Sequence, residues 1–307
     1  MILSIKMNKV LITGAHGQDG IILSKILLKK KYKVYGIIKK KKLKINLPRI
    51  TYFVNDLLNY NKTLNLIKKI KPNIIIHFAS NNYPFSKEKK INYQNHYLEN
   101  FVATKNLLES VKKNKKTYFV LAGSSRMFGK YTTGYVTEET QFKRTGFYES
   151  YKIDAHKLLM KYKYKYAFKA TTAIFFNHDS IYRNNYFIIP KLFNSLIHKK
   201  YSFLKKIYNF NITGDFSHAE DICYAIYLLV KSKKNIDKII LSSGKKTKIN
   251  DIILYLVKIL NIKNIKFQKP EKQKATLIGI NSLAVKLLKW TPKKTVYDIV
   301  HEMILKK

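Results

Sequence analysis

Short apolar runs alternate with longer amphipathic segments through the first half of the chain. The apolar and β-branched runs predict strands at Val10–Thr13, Lys33–Ile38, Ile50–Val54, Asn73–His77, Tyr118–Ala122 and Ala170–Phe176, of which the first, the fourth and the fifth are expected to be buried. Apolar residues at helical spacing predict a helix that begins at Ile21 and further helices over Thr63–Ile70, Asn92–Lys113 and Phe147–Tyr166. Short strands that alternate with helices are typical of a parallel sheet with helices on both faces. The pattern therefore predicts an α/β fold, a doubly wound parallel sheet with right-handed crossovers and with ligands at the carboxyl ends of its strands.

The alternation weakens in the second half of the chain. Apolar periodicity there predicts helices over Ile188–His198, Asp221–Lys231, Asn250–Leu260 and Val296–Leu305, with Ile278–Trp290 as a further element. We therefore expect a domain over residues 1–176 that contains the sheet. A smaller, mostly helical C-terminal lobe is expected over residues 177–307, with the chain crossing back from it to the sheet.

A glycine-rich turn joins the first predicted strand to the first helix. The run VLITGAHGQDG spans Val10–Gly20 and places glycines three residues apart between a buried strand and an amphipathic segment. Such glycines let a phosphate approach the backbone, while the N–H groups and dipole of a helix N-terminus bind anions. An ordinary strand–helix turn is the less favoured interpretation. The turn therefore predicts a site for the pyrophosphate of a dinucleotide cofactor at Gly14, Gly17, Gln18, Asp19 and Gly20.

A tyrosine and a lysine four residues apart, Tyr148 and Lys152, lie on one face of a predicted helix. An ammonium beside a phenol favours the phenolate, so such a pair suits proton transfer with a substrate hydroxyl. The chain has 23 tyrosines and is rich in lysine, so the spacing alone is a weak signal. Its position, soon after a strand that ends in Gly123-Ser124-Ser125, gives it weight. The Ser124 hydroxyl is expected either to bind the same substrate oxygen or to cap the turn.

The glycine-rich turn, Ser124, Tyr148 and Lys152, in this order, resemble the extended short-chain dehydrogenase/reductase superfamily. Within it, the segment ITGAHGQDG is similar to the opening turn of the GDP-mannose 4,6-dehydratase family. Four later segments also resemble that family: Phe176–Ser180, Asp215–Asp221, Lys269–Glu271 and Trp290–Lys293. The resemblance spans nearly the whole chain. It implies an NAD(P)-binding Rossmann domain over residues 1–176 and a substrate-binding lobe over residues 177–307.

The resemblance also implies a reaction and the residues that perform it. A nucleotide sugar, GDP-mannose or a similar one, is oxidised at C4 by bound NADP, loses water between C5 and C6, and receives the hydride at C6. Tyr148 is implied as the base at O4, Lys152 as the residue that holds the nicotinamide ribose, and Ser124 as a partner of O4. Further implied cofactor contacts are Asp56, Leu57 and Ala79. The implied substrate contacts are Ser125, Asn177, Arg183, Lys191 and Lys269.

Three departures from the family change this expectation. The family carries a glutamate two residues after its catalytic Ser or Thr, as the acid and base for water elimination, whereas this chain has Arg126. Arginine stays protonated, so it cannot take the C5 proton. Gly214 replaces an arginine, and the Asn-Asn-Tyr-Pro sequence of residues 81–84 replaces a small polar stretch. Nearby substitutes for the missing glutamate are Glu149, His178 and Tyr83.

Arg126 therefore leaves three functions open. The first, which is the leading hypothesis, is an NADP-dependent enzyme like GDP-mannose 4,6-dehydratase, which the glycine turn and Asn177–Ser180 favour. The second is a nucleotide-sugar 4-epimerase or 4-keto reductase, which needs Ser124, Tyr148 and Lys152 but no glutamate. The third is a non-catalytic protein that binds NADP or a nucleotide sugar, which the presence of all three catalytic residue types disfavours.

The formal net charge of +42 is high enough to raise the question of a polyanionic partner. All but four of the 60 basic residues are lysines, and they are spread over almost every segment. Nucleic-acid readers usually rely on arginine, so codon drift in an AT-rich genome is the favoured explanation and RNA binding the minor one. Lys39 and Lys40 directly follow the second strand, and no acidic residue comes after them before Asp56. Cations there favour the 2′-phosphate of NADP over NAD as cofactor.

The remaining features narrow the class of protein. With 46% hydrophobic residues the chain is expected to fold around a core, and its single Cys223 argues against a disulfide framework or a cysteine zinc site. Its histidines have no metal-ligand spacing, and no apolar run reaches the roughly 18 residues of a membrane span. We therefore expect a cytoplasmic enzyme without metal or membrane anchor. The resemblance implies a homo-oligomer.

Overall fold

Strands and helices alternate along the chain, in a computed structural model that describes residues 7–40, 45–80, 93–270 and 274–306. The strands are β1 (Lys9–Thr13), β2 (Lys33–Ile38), β3 (Ile50–Val54), β4 (Ile74–His77), β5 (Tyr118–Ser124), β6 (Gly134–Val136), β7 (Ala170–Phe175), β8 (Asn177–Asp179), β9 (Ile212–Gly214), β10 (Phe216–His218), β11 (Lys238–Leu241), β12 (Thr247–Lys248), β13 (Lys274–Ala275) and β14 (Leu277–Gly279). The helices are α1 (Gln18–Lys29), α2 (Tyr60–Ile70), α3 (Tyr93–Val111), α4 (Phe147–Tyr166), α5 (Ile188–Ile197), α6 (Tyr201–Asn209), α7 (Ala219–Ser232), α8 (Ile249–Ile259), α9 (Ser282–Leu288) and α10 (Val296–Leu305). A 3-10 turn over Ser125–Phe128 follows β5.

Seven strands form one sheet in the order β11-β7-β5-β4-β1-β2-β3. The pairs from β3 to β5 are parallel, and their register places Thr13 beside both Ile37 and His77. Because β1 lies inside the sheet, successive strands first extend it to one side, through β3, and then to the other side, from β4. This order is that of a doubly wound sheet, whose ligands lie at the strand ends next to the reversal. The predicted Rossmann-type α/β fold is confirmed.

The core of this sheet explains why the apolar runs form strands. Leu11, Ile75 and Phe119 lie in adjacent strands and are fully buried, together with Leu107 of α3 and Leu159 of α4. Burying a side chain of this size stabilises a fold by roughly 1.5–3 kcal/mol. The packed helices thereby hold the carboxyl ends of β1, β4 and β5 in place, and the predicted site residues lie at those ends.

The chain divides into two compact units. The first comprises residues 1–130, 142–174 and 223–239, and the second residues 131–141, 175–222 and 240–307. The second unit has a core of its own, in which Leu192 of α5, Leu256 of α8 and Ile299 of α10 are buried. The expected domain boundary at residue 176 stays a prediction. The later segment 223–239, which carries most of α7, lies in the first unit.

The second half of the chain contains elements that the apolar pattern does not predict. β8 pairs with β10, β9 with β12 and β13, and β6 with β14. These strands have two or three residues, too few to establish a period. The pattern also misses α6, and it misses β11, whose four residues form an edge of the large sheet.

Candidate active site

The glycine-rich turn packs the start of α1 closely against the end of β1. Gly14 has a φ of +69°, and a Cβ on it would lie 2.9 Å from the backbone nitrogen of Ala79. A Cβ on Gly20 would lie 2.5 Å from the Gly14 carbonyl oxygen. Gly17 is the N-cap of α1 and has no side chain that caps the helix. The turn therefore has the close backbone approach and the helix end without a side-chain cap that suit an anion.

A cavity of about 740 Å³ opens at the carboxyl ends of β1 to β4 in the first unit. Six of the predicted cofactor residues line it: Gly14, Gly17, Lys39, Asp56, Leu57 and Ala79. Four others lie outside its lining: Gln18, Asp19, Gly20 and Lys152. The Gln18 side chain is buried and its amide donates to the Asp19 carboxylate at 3.0 Å, so these two residues contact each other beside the turn.

Sequence reasoning missed several residues of this lining. They are His16, Ser80, Glu99 and Asn100. His16 and Ser80 are close neighbours of predicted residues, so the rule that ligands lie at strand ends could have found them. No local motif marks Glu99, which reaches the cavity through the position of α3. Lys39 lies 3.5 Å from Glu99, and the Lys39 side chain is 63% exposed.

A buried hydrogen-bond network joins the ends of β1 and β4. Thr104 Oγ1 donates to a backbone carbonyl of its own helix, so it accepts from Nε2–H of His77 at 3.0 Å. Nδ1 of His77 then accepts from the Thr13 hydroxyl at 2.7 Å, and the oxygen of that hydroxyl accepts the N–H of Ala79 at 3.1 Å. Burial, and next the charge of Lys152, lower the pKa of His77 to about 3. These contacts assign a neutral His77 that carries its proton on Nε2. The network therefore holds the Ala79 backbone against the glycine-rich turn.

Ser124 ends β5 and caps the 3-10 turn that follows. Its Oγ accepts the backbone N–H of Arg126 at 3.3 Å, while Ser125 is the first residue of the turn. The capping role expected as the alternative for Ser124 is therefore present. A hydroxyl that accepts one hydrogen bond keeps its O–H as a donor, so the cap is compatible with donation to a substrate oxygen.

α4 carries Tyr148 and Lys152 one helical turn apart, as predicted. Lys152 is 6% exposed, and its ammonium donates to the Ala122 carbonyl at 2.8 Å. Burial lowers the pKa of Lys152 to about 8. An ammonium has three N–H donors, and two of those of Lys152 have no acceptor among the described residues. Lys152 therefore has donors to offer to a ligand.

Arg126 forms an ion pair with Glu149 of α4. Nε of Arg126 donates to Oε1 of Glu149 at 2.5 Å, and Nη2 contacts the same oxygen. The Glu149 side chain is 1% exposed, and in the described part of the chain its Oε2 has no hydrogen-bond partner. The guanidinium carbon also lies 5.6 Å from the centre of the Tyr148 ring. A paired arginine therefore lies beside the candidate base, and the carboxylate that pairs with it is closed to solvent.

The expected substrate residues of the second unit have separate partners. Asn177 begins β8, and its side chain donates to a backbone carbonyl at 3.1 Å. Arg183 Nε lies 3.0 Å from Asp179 Oδ1, and its guanidinium stacks on a phenylalanine ring. The Lys191 ammonium lies 4.4 Å from the centre of another ring, and Lys269 is exposed. Within the described residues, the structure records no contact that brings these four side chains together.

Of the other two departures from the family, the structure describes Gly214 but not residues 81–84. A Cβ on Gly214 would lie 2.5 Å from Thr276 Oγ1 and 3.3 Å from the Phe216 ring, so an arginine does not fit there without rearrangement. His178, one candidate substitute for the missing glutamate, is buried and hydrogen-bonds a backbone carbonyl through Nδ1 at 2.7 Å. Residues 81–84, and with them Tyr83, lie outside the described residues.

The described part of the chain offers neither a cluster of metal ligands nor a membrane-spanning helix. It contains no group of three or more His, Cys, Asp or Glu side chains placed to hold a metal ion. Within the same residues, no helix combines the length and the apolar character that crossing a bilayer requires.

The chain is similar to known proteins over nearly all of its length. The family model for GDP-mannose 4,6 dehydratase matches residues 11–303. The GDP-mannose 4,6-dehydratase sdnI of Sordaria araneosa is 25% identical, in an alignment that covers 96% of this chain and 60% of that protein. The GDP-mannose 4,6-dehydratase of Yersinia enterocolitica is 25% identical, in an alignment that covers 97% of this chain and 93% of the relative.

Solved structures share the fold. UDP-glucuronic acid 4-epimerase from Bacillus cereus, in complex with NAD, has a TM-score of 0.78 at 22% identity, with 97% of this chain and 99% of the other covered. dTDP-glucose 4,6-dehydratase from Bacillus anthracis, in complex with NAD, has a TM-score of 0.80 at 19% identity, with 97% and 96% covered. The resemblance stated from the sequence motifs is confirmed: because the family model covers most of the chain, this protein belongs to the GDP-mannose 4,6-dehydratase family.

Proposed function

We propose that this protein oxidises and reduces a nucleotide sugar at C4 with a bound nicotinamide dinucleotide, as a 4-epimerase or 4-keto reductase. The observation that carries the proposal is the ion pair between Arg126 and Glu149 beside Tyr148. The chain keeps Ser124, Tyr148 and Lys152, which suit proton transfer at a sugar hydroxyl. At the position where water elimination needs a glutamate, it has a cation instead. Family membership supports the nucleotide sugar as the class of substrate.

The first unit has features that fit a dinucleotide cofactor. Gly14 and Gly17, at a helix N-terminus without a side-chain cap, suit the pyrophosphate, with Gln18, Asp19 and Gly20 in the same turn. Asp56, Leu57 and Ala79 line the cavity where the adenosine half would lie. The unmatched N–H donors of buried Lys152 suit ribose hydroxyls. When bound, the nicotinamide accepts a hydride from the sugar and returns it.

NADP remains the proposed cofactor form. Lys39 and Lys40 line the cavity at the end of β2, where a 2′-phosphate would be neutralised. Glu99 lies near Lys39 and lines the same cavity, so it opposes this preference. Calorimetric titration with NADP and with NAD tests the proposal. NADP is expected to bind the more tightly, and the preference should fall for Lys39→Ser.

The residues of α4 and β5 suit the transfer of a proton at O4 of the sugar. Tyr148 is half-buried, and the guanidinium of Arg126 faces its ring, so cationic charge favours its phenolate form. As a base, Tyr148 takes the proton from the O4 hydroxyl during oxidation and gives it back during reduction. Ser124 donates its O–H to O4 and holds the sugar in line with Tyr148. Lys152 orients the ligand through its N–H donors.

Water elimination needs a group that takes the C5 proton and protonates the leaving hydroxyl. Arg126 has no basic lone pair to offer. Glu149 has one, but its carboxylate is buried and paired with Arg126. In this arrangement neither side chain supplies the acid and base that the dehydratase reaction uses.

A 4,6-dehydratase is the second candidate, because the chain belongs to that family. It requires that the Arg126–Glu149 pair open and that Glu149 reach the substrate. Ser125, Asn177, Arg183, Lys191 and Lys269 stay proposals as contacts of the sugar diphosphate in either reaction.

Single-turnover spectroscopy tests the shared first half of both reactions. The protein is loaded with NADP and mixed with GDP-mannose and other nucleotide sugars, and absorbance of the reduced nicotinamide is followed. We expect reduction of the cofactor by at least one sugar, and its loss in Tyr148→Phe with cofactor affinity retained. Tight cofactor binding without reduction by any sugar would instead support a non-catalytic binding protein.

A further inference from the structure

Tyr151 is a buried tyrosine in the candidate site that the proposed reaction does not yet use. It lies between Tyr148 and Lys152 on α4 and is 2% exposed. Burying a phenolic hydroxyl is unfavourable unless the hydroxyl finds a hydrogen-bond partner. The partners of Tyr151 are therefore informative about its role.

The contacts of Tyr151 connect the candidate base to the cofactor cavity. Its hydroxyl is hydrogen-bonded to Ser80 Oγ, and Ser80 lines the cavity at the end of β4. The Tyr148 phenol is the second polar neighbour of the Tyr151 hydroxyl, and, after burial as the larger cause, it raises the pKa of Tyr151 through its charge and as a hydrogen-bonding group. The two rings meet edge to face, with centroids 5.2 Å apart and an interplanar angle of 83°. The Lys152 ammonium lies 5.6 Å from the centre of the Tyr151 ring.

The direction of these hydrogen bonds follows from which hydroxyl keeps its proton. Burial, and next the negative charge that Tyr148 carries as a phenolate, raise the pKa of Tyr151 well above 10. Tyr151 therefore remains a neutral donor when Tyr148 ionises. Its O–H points to the Tyr148 oxygen, and its own oxygen accepts from Ser80. A hydrogen bond donated to an ionised oxygen is stronger than one donated to a neutral oxygen, so it favours the phenolate.

We propose that Tyr151 is a positioning residue that prepares Tyr148 for its role as base, through the donor chain Ser80 to Tyr151 to Tyr148. The chain stabilises the Tyr148 phenolate and fixes the direction in which its oxygen points. The inference rests on the proposed function, since that function makes Tyr148 the base. It adds a residue that lies outside the Tyr-x-x-x-Lys motif.

Other charged groups near Tyr148 set the background for this effect. Arg126 of the 3-10 turn favours the phenolate, and Glu149 opposes it. Lys152 of α4 favours it only while protonated, that is, below its lowered pKa of about 8. His77 of β4 is neutral above pH 3 and adds no charge. These groups are unchanged when a single hydroxyl is removed from Tyr151, so its contribution is separable from theirs.

The test is a titration of Tyr148 in the unliganded protein, by carbon NMR of labelled tyrosine rings. Tyr148 is identified by the resonance that Tyr148→Phe loses. In Tyr151→Phe, which keeps the ring and removes the donor, the pKa of Tyr148 should rise by about one to two pH units. Ser80→Ala should move it in the same direction by less. Tyr162→Phe is the matched control, because that hydroxyl on the same helix bonds Glu109 instead.

An unchanged Tyr148 pKa in Tyr151→Phe and Ser80→Ala would overturn the proposal. The titration needs no turnover, so it separates this inference from the proposed function. In active protein, the alkaline shift should also appear in the pH profile of kcat, with the KM for cofactor unchanged. A shifted titration in a protein that turns over no sugar would leave the donor chain standing and contradict the enzyme.

Discussion

At the scale of single residues, the Arg126–Glu149 pair is the feature of the candidate site on which the proposed function depends. A buried carboxylate that loses its cation is left uncompensated, which typically lowers the free energy of unfolding by about 3–5 kcal/mol. We therefore expect Arg126→Met to destabilise the protein by that order, measured by urea unfolding. Arg126→Met combined with Glu149→Leu should recover most of the loss.

The exposed pair Arg144–Asp154 is the control for this prediction. The Arg144 side chain is 46% exposed, so Arg144→Met should lower stability by less than about 1 kcal/mol. Equal effects of Arg126→Met and Arg144→Met would contradict the dependence of the buried Glu149 carboxylate on its cation.

The lowered pKa of His77 implies that the free energy of unfolding falls as the pH falls. Its pKa of about 3 in the folded protein lies below the usual 6.5 because of burial. As the pH falls below 6.5, the unfolded chain binds a proton that the folded protein does not, so stability falls. The loss from His77 should reach about 2 kcal/mol at pH 5 relative to pH 7.

The measurement is urea unfolding of the protein and of His77→Gln at pH 5, 6 and 7. His156 also has a pKa lowered by burial, to about 4, so the difference between the two proteins isolates His77. Parallel pH dependences in the two proteins would contradict the prediction.

The positions of candidate residues could be predicted only where a local motif reports them. Gly14, Tyr148 and Lys152 lie in such motifs, and the structure places them where strand ends and helix spacing indicate. Glu149 pairs with Arg126 across 23 residues of sequence, a contact that depends on how α4 packs on the 3-10 turn. Tyr151 is one of 23 tyrosines, and only its burial and partners set it apart.

At the scale of elements, α1 packs so closely on the end of β1 that Gly20 has no room for one added methyl group. A Cβ on Gly20 would lie 2.5 Å from the Gly14 carbonyl oxygen and 2.6 Å from the Ala15 Cα. Because these atoms are backbone, the helix must shift. We expect Gly20→Ala to destabilise the fold by about 1–3 kcal/mol and to weaken NADP binding at least tenfold, by calorimetry.

Gly134→Ala is the control for Gly20→Ala. Nothing lies within 4 Å of a Cβ there, although its φ of +86° strains any side chain. It should lower stability while leaving NADP affinity unchanged. If the Gly20→Ala protein bound NADP as tightly as the unsubstituted protein does, the role of this helix–strand contact in cofactor binding would be contradicted.

The elements of the first unit were more predictable than those of the second for a physical reason. Strands such as β2 and β4 are buried in the sheet and read as apolar runs, and the predicted bounds of β2 match the structure. The short strands around β9 depend on contacts between distant segments, such as that of β9 with β13, and carry no periodic signal of their own.

At the scale of the whole molecule, the net charge of +42 predicts a dependence of stability on salt. Like charges repel in the compact state, and the screening length falls from about 30 Å at 0.01 M to about 10 Å at 0.1 M salt. We expect the Tm to rise as NaCl is added over this range. Sucrose at matched osmolality is the control, and it should not reproduce the rise in Tm that NaCl produces between about 0.01 and 0.1 M. A Tm that does not depend on salt would contradict the prediction.

The product formed from a nucleotide sugar is the property of the whole protein on which the account depends. We would incubate the protein and NADP with GDP-mannose and other nucleotide sugars, and with a 4-keto nucleotide sugar and NADPH, and measure product masses. Since Arg126 and Glu149 are paired, we predict an epimer of unchanged mass, or reduction of the 4-keto sugar by two hydrogens. A product lighter by one water would contradict the account and assign the missing glutamate's chemistry to another residue.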